Sequence, residues 1–301
     1  MSIGGTTSGI SQPAVADNLP ARQGRPRGRR SFGTSKLMLI LVMLYLLVPL
    51  GAALWFGLQD PTSFPRIFSD PDFSLTFFTS LELATASTIL AVVLVTPTAY
   101  WVQLRIPQAR PLMDVLTLIP FAMPAIILAV GLVQEFNGVA SPLINFLSLG
   151  LVPVLNNLNI VNTPPLLVCA YVIISLPFVY RPIDNNLRAI NTSVLTEAAY
   201  SLGSGWWRTF LTVILPNIMP GVISAALLTF SVVMGEFTIA QLFSIYTFPI
   251  FLNNVGQNDP HRAALLSILS FIITLVCVLG IVLFARRRGG SESTAEIGAA
   301  K

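Results

Sequence analysis

Two carboxylates, Glu82 and Glu236, lie inside long apolar runs of this chain. An ionised side chain at mid-bilayer costs about 2.5–3.5 kcal/mol unless it faces protein or water, so each needs a partner. That partner is a neighbouring helix, an interfacial position or a solute passing through. Glu236 stands in the run Met234-Gly235-Glu236-Phe237-Thr238-Ile239-Ala240 and is the first candidate for a pathway carboxylate, which would favour cationic cargo; Glu82 is the second. The same pair could relay protons in a self-contained secondary transporter. That alternative predicts an inverted internal repeat with broken helices in both halves, and no repeat is evident. Gln134 and Glu135 close an apolar run and read as interfacial.

Enzyme chemistry finds little to work with. His261 is the single histidine and is read in an outer loop, so no histidine-pair metal site, Ser-His-Asp triad or His-x-x-His arrangement is expected within this chain. Cys169 and Cys277 fall in separate apolar runs and read as small buried packing residues. Neither Lys36 nor Lys301, the two lysines, precedes Ser or Thr, so the phosphate-binding pattern Gly-x-x-x-x-Gly-Lys-Ser/Thr is absent. The chain is expected to be no enzyme and to hold no cofactor or metal. Any nucleotide hydrolysis belongs to another subunit.

The strongest pattern is Glu197-Ala198-Ala199-Tyr200-Ser201-Leu202-Gly203, followed after nine residues by Val213-Ile214-Leu215-Pro216. Leu195, Ala198, Ala199 and Leu202 recur at helical spacing and predict one apolar face, with Glu197 and Ser201 on the other. Gly203 predicts a left-handed stop, and Ser204 a cap for a second short helix through Trp206, Trp207 and Phe210. The unit reads as helix, tight turn, helix between two membrane-length apolar runs.

Glu-Ala-Ala, three residues, Gly, nine residues, an aliphatic residue, one more and Leu-Pro resembles the signature loop of permease subunits of type I ABC importers, the MetI-like family. Val213 stands where that family usually has Ile. The resemblance, by segment number and order, runs from about Leu37 to Phe284. It implies an all-α polytopic bundle of six transmembrane helices with a coupling-helix loop at about 184–212 that docks on a cytosolic ATPase through Glu197, Ala198, Ala199, Gly203, Leu215 and Pro216. It also implies an ATPase dimer, a second permease subunit, identical or homologous, and an extracytoplasmic solute-binding protein. The stretch at Glu236-Phe237-Thr238 is similar to the polyamine (spermidine/putrescine) branch; importers of iron, phosphonate and other small ions share much of the pattern.

Composition calls for a membrane independently. Apolar residues make up 54% of the 301 and charged residues 10%, against about 25% charged in soluble domains. Apolar runs of spanning length fall near Leu37–Leu58, Phe73–Leu104, Leu112–Gln134, Pro165–Ile183, Val213–Phe243 and Ala263–Ala285. The second and fifth exceed what a perpendicular span needs, so each is expected to tilt or to begin with an interfacial turn. Prolines 97, 120, 124, 177, 216 and 220 punctuate these runs, and the two pairs four residues apart predict bends in the third and fifth.

Charge gives an orientation. Arg22, Arg25, Arg27, Arg29, Arg30 and Lys36 precede the first run; Arg105, Arg110, Arg181, Arg188 and Arg208 flank even-numbered junctions; Arg286, Arg287 and Arg288 follow the last. Only Arg66 and Arg262 fall on the other side. The positive-inside rule then puts both termini and the Glu197 loop in the cytoplasm of a bacterial inner membrane, with positions 30, 188 and 287 inside and Asn159 and Asn254 outside. The net charge of +4 is a topology signal and no sign of nucleic-acid binding. Residues 1–35 read as a disordered cytoplasmic tail, 36–288 as one membrane domain and 289–301 as a second tail.

Overall fold

The computed structural model describes residues 32–136 and 163–299. Every regular element in that part is helical. Contacts divide the chain into a unit ending at Val48 and one beginning at Pro49. The first contributes the opening part of α1 (Phe32–Leu58), apolar on every side with a mean hydropathy of 2.6 over Lys36–Leu58, which suits lipid. The expectations for residues 1–31 and for Asn159 lie outside the described residues.

The second unit holds α2 (Ser63–Ser69), α3 (Pro71–Arg105), α4 (Arg110–Ala122), α5 (Ala125–Phe136), α6 (Pro164–Ala189) and α7 (Thr192–Ser201). It continues with α8 (Trp206–Asn217), α9 (Met219–Met234), α10 (Thr238–Leu242), α11 (Phe248–Asn258) and α12 (Pro260–Ala299). Four helices, α1, α3, α6 and α12, are long and apolar enough to cross a membrane alone. Two bent pairs, α4 with α5 at 87° and α8 with α9 at 76°, bring the count to six. The backbone of 289–299 continues α12, where the sequence reads as a tail.

Both bends fall at the proline pairs. Met123, between Pro120 and Pro124, is extended at ψ 140°, the conformation forced on a residue before proline, and it ends α4. Between Pro216 and Pro220 the chain turns at Ile218, which ends α8 and begins α9. Proline has no N–H to give, so carbonyls near it need other donors. A π-turn at Phe210–Ile214 precedes Pro216, and the Asn217 amide donates to the Val213 carbonyl at 2.7 Å. The fifth apolar run therefore does not form one helix. Its first residues belong to α8, α9 continues it beyond the bend, and it breaks again at Gly235–Phe237 before α10. Two helices appear where the sequence reads as connector: α2, only seven residues long, and α11, which lies between two apolar runs of spanning length.

The core of the second unit is built on α3, α6 and α9. One cluster gathers Ala91, Ala99, Tyr100, Tyr180, Ile183, Phe210 and Ile214 toward the Glu197 loop; another gathers Leu83, Leu167, Tyr171, Phe230 and Ile239 further along. At the end away from the loop, Ile67, Phe248, Phe251 and Leu266 form a third. There Arg262 pairs with Asp70, the N-cap of α3, and Arg66 stands 3.9 Å from Asp259. The two arginines that break the charge bias thus tie the start of α12 to α2 and α3. His261 is equally structural: its Nδ1 lies 2.8 Å from the Phe56 carbonyl, and its ring stacks on Phe56 with centroids 4.2 Å apart. The cysteines are free, and Cys169 is exposed rather than buried, because it faces away from the core on α6.

Close approach of α6 and α9 depends on Gly221. A Cβ added there would lie 2.6–2.8 Å from Asn186 Nδ2, Cγ and Cβ, whereas one added at Gly51 meets nothing within 4 Å. Gly221→Ala is expected to destabilise the protein by about 1–3 kcal/mol through overpacking, and Gly51→Ala to leave it unchanged or slightly steadier. Thermal unfolding of the two variants in detergent checks this contrast.

Candidate functional site

The Glu197 loop is a turned-back pair of helices. At the end of α7, Gly203 takes φ 79°; its N–H donates to the Tyr200 carbonyl at 2.9 Å, and the Ser204 N–H donates to the Ala199 carbonyl at 3.1 Å. This is the two-bond Schellman closure, which satisfies carbonyls that a helix end leaves bare. Gly203 thus stops the helix as its position predicts. Ser204 does not cap the next one: Gly205 occupies the N-cap and makes no side-chain bond. The other end of α7 starts from Asn191, also left-handed at φ 50°.

The period of α7 is as expected, but its phase is rotated. The inward residues are Thr192, Leu195, Thr196 and Ala199; Ala198 and Leu202 face outward, Leu202 at 88% exposure. Threonine can turn inward because its hydroxyl finds a carbonyl one turn back on its own chain: Thr196 Oγ1 donates to the Thr192 carbonyl at 2.7 Å, and Thr192 Oγ1 to that of Leu187. Ala199, at 8% exposure, is packed within the chain and is not part of an outward face. The face left open carries Val194, Glu197, Ala198, Ser201 and Leu202, with Trp207 of α8 beside the turn. Leu215 is half-buried and helps pack α8, while Pro216 is exposed at the bend.

Aromatic side chains outside the signature pattern fix this pair to the bundle. Tyr100, near the end of α3, has its hydroxyl 3.1 Å from Thr196 Oγ1. Its ring lies 5.5 Å from Trp206 and 5.4 Å from Phe210, and these last two stack at 5.6 Å. Each such pair is worth about 0.5–1.5 kcal/mol beyond its buried area, so α7 and α8 are held to α3 rather than hanging free. Sequence reasoning misses Tyr100; a Tyr near the end of a long apolar helix is the one signal that points there.

Glu236 lies half-buried at the break between α9 and α10. Both its oxygens accept the Ile239 N–H at 3.0 Å, and Oε2 accepts that of Ala240 at 3.3 Å. The carboxylate therefore caps α10, whose first N–H groups would otherwise be bare in an apolar setting. It also borders a cavity of about 310 Å³ whose other walls include Pro120, Met123 and Pro124 from the bend of the third span, and Ile174 and Val232. Two breaks in two spans thus meet at one hollow. Glu82 is exposed on α3 and does not border this cavity; Gln134 is exposed on α5, and the Glu135 side chain lies outside the described residues.

Comparison with known proteins agrees with this arrangement. The family described as "Binding-protein-dependent transport system inner membrane component" matches residues 96–287. The molybdenum transport system permease protein ModB of Azotobacter vinelandii is 31% identical over 194 residues, 64% of this chain and 76% of that protein. The spermidine/putrescine transport system permease protein PotB of Escherichia coli K12 is 32% identical over 175 residues, 58% of this chain and 62% of that one. Among solved structures, a bacterial ABC transporter that imports the acidic polysaccharide alginate superimposes with a TM-score of 0.58 at 17% identity, covering 85% of this chain and 94% of that one, which concerns the fold alone. A helical bundle with two broken spans, a turned-back loop and a family match over most of its length identify the chain as a member of the binding-protein-dependent, MetI-like family of ABC importer permease subunits, multi-pass proteins of the inner membrane.

Proposed function

We propose that this chain forms half of a translocation pathway for a small solute and is moved by a separate ATPase that docks on the α7–α8 loop. The observation that carries this is the loop's two-sidedness: one face is anchored to α3 by Tyr100, while the other bares Val194, Ala198, Leu202 and Trp207 around one carboxylate, Glu197. A helix lying among lipid headgroups is rich in Lys and Arg on its polar face, whereas α7 has neither and Arg208 is the one basic residue of α7 and α8 together. A small residue, Ala198, beside exposed apolar side chains suits close approach to a protein groove. The remaining partners are a second ATPase, a second permease subunit and a solute-binding protein on the opposite side; the alginate importer has also been solved with its alginate-bound periplasmic protein. A proton-driven transporter is set aside by the family match.

The cargo we favour is cationic or metal-bound, in the manner of the polyamine branch. Support comes from the cavity between the two breaks, where Glu236 is the one charged residue among the described residues that line it. The similarity to PotB supports the same choice, and the similarity to ModB supports a small-ion cargo.

Three results are expected. In vesicles reconstituted with ATPase and binding protein, Gly203→Val forces a β-branched residue toward positive φ at about 1–2 kcal/mol and re-aims α8. It should assemble but lose hydrolysis stimulated by loaded binding protein. Ala198→Trp, on the open face, should do likewise, whereas Ala199→Trp would overfill the chain's own interior and lower its stability. Normal transport by both Gly203→Val and Ala198→Trp would make the loop an ordinary connector.

Glu236→Gln keeps one acceptor for the α10 cap and removes the charge. Uptake should fall at least several-fold while assembly and hydrolysis persist; unchanged uptake would leave Glu236 as a helix cap only. For orientation, single cysteines at Arg30, Ser193, Arg287 and Asn254, in a chain freed of Cys169 and Cys277, are to be labelled in intact cells. Only position 254 should react with an impermeant reagent, and reaction at 193 would overturn the ATPase-docking reading.

A further inference from the structure

The junction between α6 and the loop contains a charge relay that the transport reading does not use. Asp184 is 3% exposed on α6 and pairs with Arg188 one turn on. A buried carboxylate without a cation is strongly disfavoured, so Asp184 fixes where the Arg188 guanidinium sits. The same Arg188 nitrogen lies 4.0 Å from Asp114 Oδ2 on α4. That second pair differs in kind. Its side chains are 46% and 44% exposed, and a half-exposed ion pair is weak and easily exchanged for water.

Position makes the difference useful. Arg188 stands three residues before the left-handed Asn191, and Thr192, the first residue of α7, is bonded to the Leu187 carbonyl, so the end of α6 and the loop helix form one piece. Asp114 stands on the helix that ends at the Met123 bend, beside the cavity that Glu236 borders. Arg188 is therefore fixed on the loop side and loosely tied on the side of the broken span.

We infer that Arg188, held by Asp184, is a positioning residue that latches the loop to α4 through Asp114, and that making and breaking this contact passes loop movement to the bend of the third span. The inference rests on the loop being the ATPase's point of attachment. A contact firm on one side and weak on the other can be made or broken without releasing Arg188 from Asp184, which is the property an element that biases coupling between two sites needs.

The test uses the complete reconstituted importer, with solute transported per ATP hydrolysed as the readout and Gly203→Val run beside it. Asp114→Asn and Asp114→Arg should assemble and keep basal hydrolysis, yet lower that ratio by about three-fold or more, within the range expected of one coupling residue. Asp114→Glu should restore it, which a purely structural role for the aspartate would not require. Asp114→Asn, nearly isosteric, carries the result by itself if the arginine variant assembles poorly. A wild-type ratio in Asp114→Asn while Gly203→Val is uncoupled overturns the latch and leaves loop docking standing. A wild-type ratio in both overturns both, and failure of Asp114→Glu to restore the ratio overturns the latch.

Discussion

A helix inside lipid has no water to satisfy a backbone group it leaves bare, so it can bend only where something replaces the missing bond. Much of this architecture follows from that constraint. At the third span the cost is kept small by ending one helix on an extended Met123 and starting the next immediately after Pro124. At the fifth, a π-turn and the Asn217 amide take up the mismatch before Pro216, and Pro220 enters the first turn of α9, where its lack of an N–H costs nothing. At the second break of that span the replacement donor–acceptor set is Glu236 with the first N–H groups of α10. The three solutions differ chemically, yet together they permit the hollow between the two broken spans.

The same constraint decides which features are legible in the amino-acid sequence. Proline pairs four residues apart in apolar runs are visible as letters, and both bends fall between them. Gly203 is equally legible, because few other residues tolerate the left-handed position a Schellman turn needs. The phase of α7 is not. Counting only apolar letters puts Ala198 and Leu202 inside; Thr192 and Thr196 go there instead because each hydroxyl is satisfied by its own backbone. Hydrophobicity alone assigns such threonines to the wrong face. Nor does the sequence announce that Tyr100, distant along the chain, holds Thr196, since that pairing depends on how α3 ends.

Glu236 shows how one residue can carry two readings. As a cap it is explained entirely by the unmet N–H groups of Ile239 and Ala240, and as a pathway group it is explained by the cavity it borders. The two are compatible, since the same carboxylate meets the backbone N–H groups of Ile239 and Ala240 while it borders the cavity.

Strength is distributed unevenly along the chain in a way that suits a moving part. The far end is held by buried aromatics and by the Arg262–Asp70 pair, which is only 15% and 24% exposed. The loop is held firmly to α3 through Tyr100, Trp206 and Phe210, and to α6 through Thr192. Between the loop and α4, by contrast, the ionic tie from Arg188 to Asp114 is long and half-exposed. Motion imposed on the loop would therefore carry the ends of α3 and α6 with it and yield first at α4, the helix leading to the Met123 bend. Displacement relayed in this way would reach the hollow through α4, which has a weak ionic tie to exchange near the loop, keeps Phe121 against Phe178 of α6 near its other end, and leads into the proline break that takes up the strain.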